Sequence, residues 1–99
     1  MKTTTTHVYV MFAEMRGIYD KMNIKIGVSD NPKKRLKGVQ TGCPGDVHLI
    51  RTFEAGQDAY LHEGHFHELY KEFSIGGEWF EFDNDYFVEK VLPEMIEYF

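Results

Sequence analysis

Asn23-Ile24-Lys25-Ile26-Gly27-Val28-Ser29-Asp30-Asn31-Pro32-Lys33-Lys34-Arg35 decides the fold of this chain, because a strand and a helix start lie back to back within it. Ile24, Ile26 and Val28 alternate with Asn23, Lys25 and Gly27, the period of a strand with one aliphatic face. Asp30-Asn31-Pro32 then reads as a helix start: a polar cap, followed by a proline suited to the first turn. The helix it opens is short. Leu36 and Val39 form its inward side, and Gly42 with Pro44-Gly45 ends it.

Upstream, residues 7–12 also alternate, with Val8, Val10 and Phe12 opposite His7, Tyr9 and Met11. A turn at Arg16-Gly17 would join the two strands into a long hairpin. If the aliphatic faces align, Tyr9 and Lys25 share the other face, where Gly27 leaves open space and Tyr9 is half-exposed. Downstream, residues 47–54 read as a third strand and residues 57–72 as a longer helix. Its inward stripe is Ala59, His62, Phe66, Leu69, Tyr70 and Phe73, with Glu63 at the margin and His67 one turn on. Gly76-Gly77 breaks the chain before a short extended segment at Trp79-Phe80. Asn84 caps a last helix with the stripe Val88, Val91, Leu92, Met95 and Phe99, kinked or broken at Pro93. The order β-β-α-β-α-(β)-α predicts an α/β (α+β) domain: a small, mainly antiparallel sheet flanked by helices, with residues 1–99 as one unit.

Composition narrows the function classes. At 99 residues with 42% hydrophobic and 15% aromatic content, the chain suits one globular core. No apolar run is long enough to span a bilayer, and Met1-Lys2-Thr3-Thr4-Thr5-Thr6 lacks the apolar stretch of a signal peptide. Cys43 is the one cysteine, which excludes an internal disulfide and makes a cytoplasmic location the default. The net charge of −5 counts against a nucleic-acid ligand until its distribution is considered. Residues 71–99 hold eight acidic and two basic side chains, whereas residues 1–70 hold eight and nine. Lys33, Lys34, Arg35 and Lys37 form a local basic run.

Tyr9, Lys25-Ile26-Gly27, Arg35, Glu63 and then Glu78-Trp79-Phe80 follow one another in an order that resembles the GIY-YIG nuclease superfamily. The resemblance is to its small phage-associated branch with KIG as the second motif, and it covers residues 7–82. Gly17-Ile18-Tyr19 spells the family's name but lies too close to Lys25-Ile26-Gly27 to be the first motif. That role falls to His7-Val8-Tyr9, which lacks the Gly and Ile, and Lys25 stands where founding members have tyrosine. The resemblance implies a metal-dependent endonuclease acting on the phosphodiester bonds of nucleic acid, DNA being the first expectation. Tyr9 would help deprotonate the attacking water, tuned by Lys25, and Arg35 would stabilise the phosphoryl charge. Glu63 would hold Mg²⁺ or Mn²⁺, and His67 would shuttle protons or support the ion from behind. Gly27, Trp79 and Phe80 belong to the structural motifs.

Elementary chemistry is compatible with these roles. A free phenol has a pKa of about 10 and needs a neighbouring cation to act as a base. Arginine offers phosphate oxygens a planar donor fork that lysine lacks. Magnesium takes few protein ligands and keeps several waters, so one carboxylate can serve it. Zinc is disfavoured: His62-Glu63-Gly64-His65-Phe66-His67 lacks the two histidines four apart that flank a glutamate in metalloproteases. Lys33, Lys34 and Lys37 are the candidate phosphate-binding residues, and sequence specificity is expected to be low or to come from a protein partner. Two rival classes are a non-cleaving nucleic-acid-binding module of the same fold, and an interaction or inhibitor protein that uses its acidic last third.

Overall fold

The computed structural model describes residues 6–99 apart from Arg16 and Ile18. Five strands form one antiparallel sheet in the order β3-β1-β2-β5-β4. They are β1 His7–Glu14, β2 Lys21–Ser29, β3 Asp46–Glu54, β4 Ser74–Gly76 and β5 Trp79–Asp83. Helix α1 spans Pro32–Thr41 and α2 spans Ala59–Leu69. The last helix, α3, runs through residues 84–98 in three consecutive segments. The α+β architecture expected from the sequence is the one observed, with one strand more. Gly76 and Gly77, at φ +123° and +57°, turn a hairpin between β4 and β5 where the sequence suggested a single short segment. Of the expected turn at Arg16-Gly17, Arg16 lies outside the described residues and Gly17 has φ +83°.

The β1–β2 hairpin aligns as its periodicity requires: Val8 faces Val28, Val10 faces Ile26 and Phe12 faces Ile24. These aliphatic residues meet α2 and α3 in a core with Phe53, Phe66, Tyr70, Phe80, Phe82, Phe87, Val91 and Met95. The opposite face is buried too, which corrects the expectation of a half-exposed Tyr9. Tyr9 and Met11 are fully buried and Ala13 nearly so, packed with Leu36, Val39 and Cys43 of the α1 region. The cause is that α1 packs over this face of β1, so both faces of the strand are buried from Val8 to Met11.

Strand β3 serves both cores through a bulge. Its register with β1 shifts between Val10 and Met11, leaving Ile50 as the extra residue. Val47 and Leu49 therefore join the α1 side, whereas Phe53 joins the α2–α3 side. Gln40 ties α1 to this strand, donating to the Gly45 carbonyl at 2.8 Å and accepting from the Val47 N–H at 2.7 Å.

The start of α1 is capped as the sequence predicts, with the Asn31 side chain accepting from the Lys34 N–H at 3.2 Å and Pro32 in the first turn. Three stripe residues are exposed, Leu69, Val88 and Phe99, although the Phe99 ring still stacks on Phe53. Leu69 is 47% exposed and Val88 58% exposed, and Phe87 replaces Val88 on the inward side of α3. Phe87, Val91 and Met95 recur every fourth residue because Phe87–Val91 is a π-helical segment. That wider turn precedes Pro93, whose ring would otherwise crowd the carbonyl four residues back, so the helix changes its hydrogen bonding without breaking.

Candidate functional site

Strand β5 accompanies β2 only from Lys21 to Lys25, where Lys25 faces Trp79. Beyond Lys25 that edge of β2 has no strand beside it among the described residues, and two groups from other elements take its backbone bonds. The Ile26 N–H donates to the Glu78 carbonyl at 3.1 Å, and His67 Nε2 donates to the Ile26 carbonyl at 2.8 Å. This opening lets side chains from both faces of the sheet converge: Tyr9 and Arg35 from the α1 side, Glu63 and His67 from α2, and Glu78 from the turn before β5.

Gly27 is the hub. It lies directly opposite Tyr9, and a Cβ there would strike the phenol and stand 2.9 Å from Glu78 Oε1. The open space expected at Gly27 is filled by Tyr9. The phenol oxygen is buried without a hydrogen-bond partner. Its pKa is pushed up to about 12, first by burial and then by the negative charge of Glu78, with Glu63 adding a smaller push. Arg35 opposes these effects from the α1 side, close enough to favour the phenolate but not joined to it by a bond of ordinary geometry.

Lys25 does not face the phenol in the expected way. It pairs with Met11 in the strand register, forms an ion pair with Glu78 at 3.0 Å, and lies 5.5 Å from the Trp79 ring centroid. The cation acting on Tyr9 is Arg35. Glu78 is the group that the sequence left without a role. Its sole sequence signal was its place beside Trp79-Phe80, whose side chains alternate between the two cores.

Glu63 is 16% exposed at its side chain, and its Oε2 is buried without a partner. Burial first, and then Glu78, raises its pKa, while His67 and Lys25 lower it. Its Oε1 stands 4.0 Å from His67 Nε2, whose proton is already directed at the Ile26 carbonyl. His67 therefore acts on β2 through the backbone, and its ring packs edge-on against Phe80. The neighbouring histidines do not converge with it. His62 Nδ1 lies 2.8 Å from the Tyr98 hydroxyl, and His65 stacks on the Tyr98 ring. Among the described residues no three His, Cys, Asp or Glu side chains gather into a metal cage. The orphaned Glu63 carboxylate oxygen is nevertheless of the chemistry magnesium takes, since that ion needs one or two such ligands and keeps several waters.

Lys33, Lys34, Arg35 and Lys37 are all exposed on α1, and none of them forms an ion pair among the described residues. Of the acids in the last third, Asp85, Glu89, Glu94 and Glu97 lie on α3, where Lys90 pairs with Glu94 at 3.1 Å, whereas Glu78 belongs to the site itself. No described helix is long and apolar enough to cross a membrane.

A family model, the T5orf172 domain, matches residues 6–97. Comparison with the curated proteins and with the solved structures gives no match. The T5orf172 domain is phage-associated and linked with nuclease-like or DNA-binding function. With nearly all of its length matched, the chain belongs to the T5orf172 domain family.

Proposed function

We propose that this protein is a metal-dependent endonuclease of the GIY-YIG type, hydrolysing phosphodiester bonds in DNA. The observation that carries the reading is Glu63 Oε2, a buried carboxylate oxygen with no partner, whose charge acts on the Tyr9 phenol as does that of Arg35. A buried acceptor left unpaired costs stability, and such groups recur where a ligand completes them.

In this reading Arg35 receives the scissile phosphate through its donor fork and balances the charge that builds on the phosphoryl oxygens. Glu63 would hold Mg²⁺ or Mn²⁺, which when bound supplies positive charge at the leaving oxygen. Tyr9 keeps its proton at neutral pH, so it orients the attacking water as a neutral phenol. It takes the water's proton only by giving up its own, and Glu78 supplies a carboxylate beside it. Lys25 fixes Glu78 in place, and His67 braces the β2 backbone behind Gly27.

One observation favours the second reading, a binding module that does not cleave: the Tyr9 hydroxyl is closed off from water. Nicking of supercoiled plasmid with Mg²⁺ or Mn²⁺, abolished by chelator, supports the nuclease. DNA binding without nicking under either metal supports the module.

A further inference from the structure

A groove of about 440 Å³ lies beside the site, between the C-terminal end of α1 and the β4–β5 hairpin. Its size falls within the range of about 300–1,000 Å³ typical of small-ligand sites. Asn23, Lys25 and Trp79 line it from the sheet, Val39 from α1 and Ile75 from β4. Among the described residues Lys25, paired with Glu78 at 3.0 Å, is its one charged lining residue, in a protein whose net charge is −5. Ile75 is left 54% exposed at its rim, and the Trp79 ring is only half-buried.

Gly38 joins this groove to a second cleft. It lines the 440 Å³ groove and also an adjoining recess of about 300 Å³ that contains Lys34 and Arg35. A Cβ at Gly38 would meet nothing within 4 Å, so close packing does not require the glycine. A glycine inside a helix lowers stability relative to alanine. Its effect here is a notch across α1, connecting the arginine cleft with the aromatic groove.

We propose that the groove holds one unstacked nucleobase of a nucleic-acid strand whose phosphates lie on the basic face of α1, the strand crossing the helix at Gly38. The base rests against Trp79, the Asn23 amide meets its polar edge, and Lys25 faces its oxygens or the next phosphate. Stacking on an aromatic ring accepts any base, so the groove adds affinity without dictating sequence. The inference rests on the nucleic-acid reading above but not on cleavage.

Trp79 is the one tryptophan of the chain, so its fluorescence reports directly on the groove. The experiment titrates metal-free protein with a short single-stranded DNA and with its abasic counterpart, which carries the same phosphates. Binding is followed separately by anisotropy of an end label. The base-bearing strand should quench Trp79, while the abasic strand should leave it unchanged and bind about tenfold more weakly, the scale of one stacked base. Gly38→Leu should keep the helical circular dichroism and lose the quench. Equal binding of both strands with no quench would overturn the groove while leaving phosphate binding intact. An undiminished quench in Gly38→Leu would overturn the crossing. Binding of neither strand at low salt would remove the nucleic-acid reading, and the groove with it.

Discussion

Tyr9 and Gly27 face each other across the β1–β2 pair, and the phenol of one occupies the volume that a side chain would take on the other. Gly27→Ala should therefore push Tyr9 out of its seat. Overpacking of this kind costs about 1–3 kcal/mol, which a denaturant titration would resolve. Adding Tyr9→Leu should recover part of that loss, because the atoms in conflict are then gone. Simple addition of the two penalties would mean that the clash is not the cause.

Tyr9→Phe separates stability from chemistry. The hydroxyl it removes has no partner, so stability should hold or rise by up to about 1 kcal/mol, whereas cleavage should collapse. The pH dependence has a definite sign. A phenol whose folded pKa is near 12 binds its proton more tightly folded than unfolded, where the value is about 10. Its contribution is complete below about pH 10 and lost as the pH rises towards 12, so the advantage of phenylalanine should grow across that window. A constant difference between the two proteins from pH 8 to 11 would contradict the raised pKa.

Arg35→Lys keeps a charge beside the phenol but loses the planar fork. Most cleavage should disappear while the melting temperature stays within a few degrees, since Arg35 is exposed on α1. Retained cleavage would show that the guanidinium serves only as a point charge.

The fold was legible where one residue type carries one message. Asn31-Pro32 capped α1 as written, and the alternation at 23–28 set the β1–β2 register. Alternation alone suggests one dry face and so leaves Tyr9 half-exposed, where the fold buries it. The unbroken apolar run from Val8 to Ala13 is the pattern of a strand covered on both faces, as α1 and α2–α3 cover this one. The Ile50 bulge and the π-helical turn at Phe87–Val91 shift side chains by register, which no single residue announces. Tyr9, Arg35 and Glu63 converge as the family pattern suggested, but Glu78 took Lys25 away from the phenol. That exchange depends on where β5 stops pairing with β2, a feature of tertiary geometry.

The lysines of α1 give a test that needs no catalysis. Lys33, Lys34 and Lys37 are exposed and without ion-pair partners among the described residues. Neutralising them should weaken DNA binding equally for all sequences. It should also flatten the plot of log affinity against log salt, by roughly one unit of slope for each phosphate that is no longer neutralised. An unchanged slope would mean that the run is a solvated face.

Glu63→Gln is the most decisive substitution, because structure and chemistry make opposite demands on that carboxylate. Burial and Glu78 raise its pKa, so the folded protein binds the proton more tightly than the unfolded chain does. The corresponding stability is present below the ordinary glutamate pKa of about 4.3 and lost as the pH rises through the higher folded value. At neutral pH the ionised carboxylate is therefore a burden to the metal-free protein. Glutamine keeps the shape without the charge, so this variant should melt higher than the parent at pH 7 in chelator, and the gain should vanish near pH 4. The same change removes the charge expected to hold Mg²⁺. Metal-dependent cleavage should be lost while DNA binding persists or tightens, one negative charge near the phosphate having gone. Cleavage equal to that of the parent would remove Glu63 from the mechanism. A lower melting temperature at neutral pH would show instead that the carboxylate supports the fold.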